Sequence, residues 1–298
     1  MESWRKRRKS LGNQDFKAGH EINWFERKPF QALITMIYEH YYRVLFLNKA
    51  KNLYICYATD IHNSILISKN NQKILIGYSD ITILLHALYK KSGVKGIMGP
   101  MVLPQFAEFP KMQKFTELSF SYVVANLGTG KMYKLPAAEE FTEEMLYWDK
   151  EDNRPRKMEV NKGWSIINHG RANGVLIPAN LNTVSKLIGT EYMLDWAGAI
   201  LFLEDDDEES AATIQRMLQH LRQAGCLDKI KGIVFGRFQK ASDIDEEKIH
   251  KILANVFGKI KFPVVANVDF GHTDPILSLP LGNEVFVNTE ERKIEIKL

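Results

Sequence analysis

The chain has 298 residues, of which 45% are hydrophobic and 26% charged, so it can bury a substantial core as one large domain or two smaller ones. The formal net charge of +4 does not favour a polyanionic partner, and the basic cluster at residues 5–9 lacks the aromatic residues that accompany nucleic-acid binding. The most apolar early run, residues 32–47, is interrupted by charges and too short to span a bilayer, so we expect a cytoplasmic protein with no membrane or nucleic-acid partner.

The first clear pattern along the chain begins near residue 73, although residues 32–36 also resemble a strand. Residues 73–76 form a β-rich run that ends at Gly77. Apolar residues at 81, 84, 85 and 88 then have the spacing of an amphipathic helix, which we predict to end at Gly93. Residues 105–165 are mixed and polar, so we place a domain boundary in this region.

Strands and helices alternate in the last third of the chain. Apolar spacing predicts helices near 181–187, 214–221 and 249–256, strands at 199–203, 232–236 and 263–266, and a hairpin from 284–287 and 293–296. Repeated strand–helix units predict an α/β fold, in which ligands bind at the carboxyl ends of the strands.

Three polar residues follow strands of this predicted fold: Ser79, Glu204 and His272. A serine at a tight strand-to-helix turn is presented outward, beside backbone N–H groups and the positive end of the helix. Serine becomes a nucleophile when a base takes its proton and a third group orients that base. The three residues therefore indicate a serine–histidine–carboxylate set in the order Ser, Glu, His.

Each of these residues also has a structural interpretation. Ser79 or Asp80 could cap the following helix. Residues 204–209, beginning with Glu204, could be the acidic first turn of another helix, which the helix dipole favours. The other histidines have no partner pattern, and His86 is interpreted as structural. Two cysteines, at positions 56 and 226, form neither a disulfide framework nor a metal-ligand spacing, and we predict no metal and no cofactor.

Several segments together carry a resemblance to a known family. They are residues 73–82 around the serine, Gly99-Pro100-Met101, Asn180-Leu181 with Gly189-Thr190, Leu203-Glu204-Asp205, Arg216 with residues 224–225 and 232–236, and residues 270–273 with 279–282. In this order, over about residues 68–298, the chain resembles the LD-carboxypeptidase family of serine peptidases, and within it the microcin-immunity-like branch.

The resemblance implies a fold, a site and an activity. The fold would be an N-terminal Rossmann- or flavodoxin-like domain at 1–115, a linker region at 116–165 and a C-terminal swivelling β/α domain at 166–298. Ser79 would be the nucleophile, His272 the general base and Glu204 its orienting group, and the backbone N–H of Asp80 would donate to the oxyanion.

The family also implies a substrate and an assembly. The substrate would be a small peptide-like molecule, either an LD-muropeptide or an aminoacyl-nucleotide antibiotic. Gly99, Pro100 and Asn180 would lie in its binding site, and the protein would be a homodimer.

Two segments depart from the family pattern. The family carries a Gly-Gly oxyanion loop upstream of the serine, whereas here no glycine occurs between Gly19 and Gly77; and Pro178-Ala179-Asn180 replaces Gly-Gly-Asn. Because a lost oxyanion donor costs about 10²–10³ in turnover, we expect impaired hydrolysis. The alternative is a non-catalytic protein that retains the cleft and binds the ligand. An unrelated α/β-hydrolase esterase is disfavoured, because isoleucine replaces the last glycine of G-x-S-x-G.

Overall fold

The computed structural model describes residues 74–147 and 150–298, together with the backbone of two short strands, β1 (Leu45–Leu47) and β2 (Leu53–Ile55). The strand predicted at residues 32–36 lies outside the described residues, as does most of the segment predicted to lack the Gly-Gly loop. Within the described part of the chain, no helix combines the length and apolar character that crossing a membrane requires.

A five-stranded sheet carries the serine turn. Its order is β1-β2-β3-β4-β13, where β3 is Ile74–Gly77, β4 is Ile97–Met98 and β13 is Leu279–Pro280. β3 lies parallel to β2 and β4, and β13 returns antiparallel to β4 from the far end of the sequence. Helix α1 (Ile81–Ser92) follows β3 and ends at Gly93, whose φ of 71° is the left-handed conformation expected of a helix-ending glycine.

Residues 102–160 form a bridging region that sequence patterns described poorly. It contains a π-helical turn at Val102–Phe106, helix α2 at Lys114–Asn126, the strand β5 at Met132–Lys134, and a two-stranded hairpin of β6 (Glu140–Phe141) and β7 (Glu159–Val160). Sequence analysis missed α2, which crosses the boundary predicted at residue 115. The boundaries themselves stay predictions.

The larger sheet has eight strands in the order β5-β15-β14-β9-β10-β11-β12-β8. The remaining strands are β8 (Ser165–Asn168), β9 (Arg171–Asn180), β10 (Ala199–Glu204), β11 (Gly232–Gly236), β12 (Val264–Val268), β14 (Glu284–Asn288) and β15 (Lys293–Lys297). Its centre, β9 to β12, is parallel, and the flanking strands are antiparallel. The predicted strands at 199–203 and 232–236 and the C-terminal hairpin are confirmed.

Three helices connect the parallel strands: α3 (Leu181–Ser185), α4 (Ala211–Gln223) and α5 (Glu246–Phe257). Each begins at a side chain that accepts a hydrogen bond from the first turn: Asn180, Ser210 and Asp245, respectively. The apolar residues that predicted α4 and α5 are buried, as amphipathic spacing requires. Mixed sheets covered by helices confirm the predicted α/β class.

Candidate functional site

Ser79 occupies the turn between β3 and α1. Its φ of 57° lies in the left-handed region, which a residue with a Cβ adopts only when the surrounding structure holds it there. Ser79 is partly exposed, and Asp80 is exposed. The structure therefore presents the serine outward, as the strand–turn–helix pattern predicted.

The capping interpretation of this turn is wrong. The Asp80 side chain accepts no hydrogen bond from the helix, and its Oδ1 instead accepts from the Thr183 hydroxyl at 3.4 Å. The contact between Ser79 and the first turn is made by its backbone carbonyl, which accepts from Thr82 N at 3.0 Å. The Asp80 N–H donates to no group in the part of the chain that the structure describes, which leaves it available as an oxyanion donor.

Glu204 and His272 meet at the carboxyl end of the larger sheet. Glu204 is the last residue of β10, and His272 lies in the loop that follows β12. His272 Nδ1 lies 2.6 Å from Glu204 Oε2, and because a carboxylate only accepts, Nδ1 is the protonated nitrogen of this contact. The opposite nitrogen, Nε2, is then the one that can exchange a proton with a serine.

The position of Glu204 also excludes the acidic-helix interpretation. Helix α4 begins at Ala211 and is capped by Ser210, so the acidic run lies in the preceding loop and Glu204 belongs to the strand. Its side chain is only 1% exposed. A buried carboxylate needs a partner, and its contact with His272 supplies one.

Two glycines make the space that Glu204 occupies. A Cβ on Gly236 would lie 2.9 Å from Glu204 Cβ and 2.5 Å from the Phe270 carbonyl oxygen. A Cβ on Gly271 would lie 2.6 Å from Glu204 Oε2, and Gly271 has a φ of 99°, which L-residues rarely adopt. The backbone of the histidine loop can therefore press against the carboxylate only because glycine precedes His272.

The electrostatics of the pair favour a charged imidazole in the free protein. Burial lowers the pKa of His272, but the charge and hydrogen bond of Glu204, with smaller contributions from Asp206 and Asp205, outweigh it and raise the pKa to about 9. His272 is thus protonated at neutral pH and must lose a proton before it can act as a base.

Asp205 organises the adjacent side of the site. It accepts hydrogen bonds from Asn180 Nδ2 at 3.0 Å and from the backbone N–H of Asn182 at 2.9 Å. Burial, and then the charge of Glu204, raise the pKa of Asp205 to about 7 despite these hydrogen bonds. The Asp205 carboxyl group therefore ties the start of α3 to the strand that ends in Glu204.

The predicted substrate-binding residues lie near these elements but are buried. Asn180 is 2% exposed, and its side chain is engaged with Asp205 and with the N–H of Thr183, which it caps at 2.9 Å. Gly99 and Pro100 are also buried, and Gly99 N donates to the Gly77 carbonyl at 3.3 Å. Contact of these residues with a substrate stays a prediction.

Ser79 and His272 come from different sheets and are not hydrogen-bonded to each other in this structure. Tyr78 makes one of the contacts between the two sides: its ring meets the His272 imidazole edge to face, with centroids 5.1 Å apart. Since Tyr78 directly precedes Ser79, this contact brings the histidine loop against the serine turn. Catalytic hydrogen bonds are often long in ligand-free proteins and tighten when substrate binds.

Other chemistry-bearing residues lie away from this pair. His86 is buried and its Nε2 contacts the Pro178 carbonyl at 3.0 Å; burial lowers its pKa to about 4, consistent with a structural role. Cys226 is a free thiol. Among the residues that the structure describes, no three His, Cys, Asp or Glu side chains are grouped so that they could hold a metal ion.

Sequence reasoning missed several residues beside the site. Tyr78, Gln105 and Asp274 form a buried hydrogen-bonded group next to His272, and Arg156 contacts Asp274 from the bridging region. The only sequence signal for these residues is that Tyr78 and Asp274 flank Ser79 and His272 closely. Nothing local marks Gln105 or Arg156.

Comparisons with known proteins identify the family to which the chain belongs. The LD-carboxypeptidase N-terminal domain matches residues 57–99, and the LD-carboxypeptidase C-terminal domain matches residues 173–287. A carboxypeptidase homologue from Treponema pallidum is 34% identical over 80% of this chain and 68% of its own length. The microcin C7 self-immunity protein MccF of Escherichia coli is 32% identical over 76% of this chain and 66% of its own. The chain thus spans about two thirds of these relatives.

Solved structures show the same similarity in three dimensions. An MccF-like protein from Bacillus anthracis superposes with a TM-score of 0.69 at 32% identity, over 78% of this chain and 70% of that one. MccF in complex with aspartyl sulfamoyl adenosine gives a TM-score of 0.69 at 30% identity over the same shares. The predicted two-domain α/β architecture is that of these proteins.

Proposed function

Because the chain belongs to the LD-carboxypeptidase family, in the branch that includes MccF, we propose that it is a serine hydrolase that cleaves a small peptide-like substrate. The observation that supports this most directly is the 2.6 Å contact of Glu204 with His272 beside the outward-facing Ser79. The pair holds the tautomer that a general base requires, and the turn presents the Ser79 hydroxyl at a partly exposed position.

In the proposed reaction, His272 Nε2 takes the proton of Ser79 Oγ as the oxygen attacks the substrate carbonyl carbon. Negative charge then develops on the carbonyl oxygen, and the Asp80 N–H at the positive end of α1 donates to it. The tetrahedral intermediate collapses, the leaving amine receives the proton from His272, and water releases the acyl group from Ser79 by the reverse sequence. Glu204 keeps the imidazole oriented and stabilises its charged form throughout.

Two substrate classes fit this proposal. The family description implies the LD-linked peptide of a muropeptide. The solved relatives of the MccF group contain aspartyl sulfamoyl adenosine, glutamyl sulfamoyl guanosine or adenosine monophosphate, which suggests an aminoacyl-nucleotide. In both substrates the carbonyl carbon is bonded to a nitrogen of the leaving group, and the homodimer that the family resemblance implies would carry two such sites.

The test is a direct assay of both substrates. Purified protein, its Ser79→Ala variant and E. coli MccF are incubated with an LD-linked tetrapeptide and with aspartyl sulfamoyl adenosine, and products are followed by mass spectrometry. We expect Ser79-dependent hydrolysis of one substrate, about 10²-fold slower than by an enzyme with the Gly-Gly loop, because one oxyanion donor is missing.

The assay also separates the alternatives. Turnover within about tenfold of MccF would show that another donor replaces the Gly-Gly loop and that the expected impairment is wrong. Tight binding without turnover, unchanged in Ser79→Ala, would instead identify a non-catalytic binding protein.

A further inference from the structure

The bridging region supplies a buried arginine to the edge of the candidate site. Arg156 has a side chain only 10% exposed and lies between two carboxylates, Glu108 and Asp274, which are 7% and 8% exposed. Its Nε donates to Glu108 Oε1 at 2.9 Å, its Nη2 donates to Glu108 Oε2, and its Nη1 donates to Asp274 Oδ2 at 2.8 Å. The planar guanidinium thus joins one residue of the segment after β4 to one of the histidine loop.

Asp274 connects Arg156, through further side chains, to the surroundings of His272 and Ser79. Its Oδ1 accepts from Gln105 Nε2 at 3.1 Å, and the same nitrogen lies 3.3 Å from the Tyr78 hydroxyl. Gln105 is itself fixed, because its Oε1 accepts from Met101 N at 2.8 Å. Tyr78 then reaches the His272 ring by its edge-to-face contact. A continuous series of direct contacts therefore runs from Arg156 to the residue that precedes Ser79.

The histidine loop is also held on both sides of His272, by its backbone after the histidine and by the Asp269 carboxylate before it. Two residues after His272, Asp274 exchanges hydrogen bonds with the backbone of Thr142, at 2.7 and 2.8 Å. Three residues before it, Asp269 accepts from Ala138 N at 3.1 Å and from Asn161 Nδ2 at 2.9 Å. The hairpin of β6 and β7 is thus pinned to the loop, and Arg156 enters from the same part of the chain.

Stability alone does not explain such a cluster well. Replacing a buried ion network with apolar side chains is often neutral or stabilising, because burial of charges costs as much as their attraction returns. What a bidentate arginine adds is geometry, since its fork fixes the planes of two carboxylates at once. Here the two fixed carboxylates belong to the serine side and the histidine side of the site.

We propose that Arg156 is a positioning residue, which holds Asp274 and, through Gln105, Tyr78, so that His272 keeps its placement against both Glu204 and Ser79. This inference rests on the proposed function for its catalytic meaning. Arg156 itself touches neither catalytic side chain, so its effect passes through the loop and the tyrosine. A displacement of about 1 Å in such a placement can cost about 10²-fold in rate.

The test compares Arg156→Lys with Arg154→Lys. Lysine keeps the charge of Arg156 but cannot bridge Glu108 and Asp274 as a planar fork. Arg154 is a matched control, because it pairs with Glu144 at the surface and its side chain is 45% exposed. Tyr78→Phe is the third variant, since it keeps the ring against His272 and removes the hydroxyl that Gln105 contacts.

Two readouts are measured for each folded variant. The first is the rate at which a fluorophosphonate probe labels Ser79 from pH 6 to 10, followed by intact mass. The second is the pKa of the His272 imidazole from histidine-labelled NMR, assigned with His272→Gln. The charged and titratable groups around that ring are Glu204, Asp205, Asp206 and Tyr78, and none is altered in Arg156→Lys.

We expect Arg156→Lys to lower the labelling rate at least tenfold and to move the pKa of His272 from about 9 toward its ordinary 6.5, as the contact with Glu204 loosens. Tyr78→Phe should lower the labelling rate by a smaller factor, and Arg154→Lys should match the parent in both readouts. An Arg156→Lys protein with the parent's labelling rate and His272 pKa would overturn the proposal, even if its melting temperature fell.

The design separates this proposal from the proposed function. A parent protein that the probe does not label at Ser79 would contradict the hydrolase proposal, whereas the NMR readout would still decide whether Arg156 positions His272. If Arg156→Lys does not fold, Asp274→Asn breaks the same contact from the other side and is judged by the same two readouts.

Discussion

In the larger sheet, β10 and the loop after β12 bring Glu204 and His272 into a hydrogen bond at 2.6 Å, whereas Ser79 approaches from the five-stranded sheet without a hydrogen bond to either residue. The first pair is assembled within one body of packed strands, and two glycines shape its contact surface. The relative placement of Ser79 and His272 instead depends on contacts between the two sheets, one of which is that of Tyr78 with His272. Orientation of the proposed base is thus built into one sheet, whereas placement of the proposed nucleophile depends on the junction between the sheets.

The largest effect is expected when the functional side chain is removed from each of the two sheets, which tests whether Ser79 and His272 act together. Ser79→Ala and His272→Ala should each lower kcat by about 10³-fold or more, and the double variant should lose little beyond either single one, because residues that act as a unit are non-additive. Turnover of the better substrate is measured for all three variants. Losses that multiply in the double variant would show that the serine and the histidine act independently, and the two sides would not form one catalytic unit.

A second test targets the assembled side. Gly271→Ala should lower kcat by about 10²-fold, because the added Cβ would lie 2.6 Å from Glu204 Oε2 and must displace the loop that carries His272. Gly128→Ala is the control: Gly128 has a φ of 83° and nothing within 4 Å of the added Cβ, so it shares the backbone strain without the clash. Kinetics and melting temperature are compared for both. Equal effects of the two substitutions would mean that the space for Glu204 is not what constrains the loop.

A third, smaller effect is expected in the pH dependence. The pKa of His272 is raised above its ordinary 6.5, so the contact with Glu204 contributes its full stabilisation below about pH 6.5 and loses it as the pH rises through about 9. Activity has the opposite sign, because kcat/KM should increase over the same range as the imidazole becomes neutral.

Glu204→Gln tests whether the rise of kcat/KM with pH reports the loss of a proton from His272. It should lower the pKa of His272 well below about 9, because burial is then opposed only by the smaller contributions of Asp206 and Asp205, and Asp206→Asn should lower it much less. The kcat/KM profile and an NMR titration of His272 are the measurements. If kcat/KM of Glu204→Gln still rises near pH 9, then the charge of Glu204 does not set the pKa that controls activity.

Sequence patterns were most informative where residues that end a strand or a helix lie next to it in the chain. Gly77 and Gly93 bracket the serine turn and α1, and Glu204 ends a continuous apolar strand, so the order of the three candidate residues was readable. Helix α2 was missed because half of its buried residues are polar: Thr116 and Ser119 lie inside with Phe120 and Val123, which hides the apolar spacing. These two polar side chains accept hydrogen bonds from the backbone N–H groups of Ile276 and Ser278.

Strand β9 was missed for a different reason. Asn173, Gly174 and Pro178 interrupt its sequence with residues that disfavour strands, and only its pairing with β10 and β14 on either side shows why they are tolerated. Arg156 could not have been found at all, since its partner Asp274 lies far along the chain and a contact of that kind leaves no local spacing. Tertiary contacts, rather than chain-local preferences, determine these parts of the structure.

The return of β13 to the edge of the five-stranded sheet has a consequence for how the molecule is made. β13 pairs with β4, from which it is separated by most of the described chain, so the N-terminal sheet cannot be completed until residues 279–280 have been synthesised. Pairings this distant in sequence form late and slowly. During synthesis, the serine turn would belong to a sheet with an unpaired edge until the histidine loop and β13 have been made. Both the turn and the loop would then reach their final places in the same late folding step.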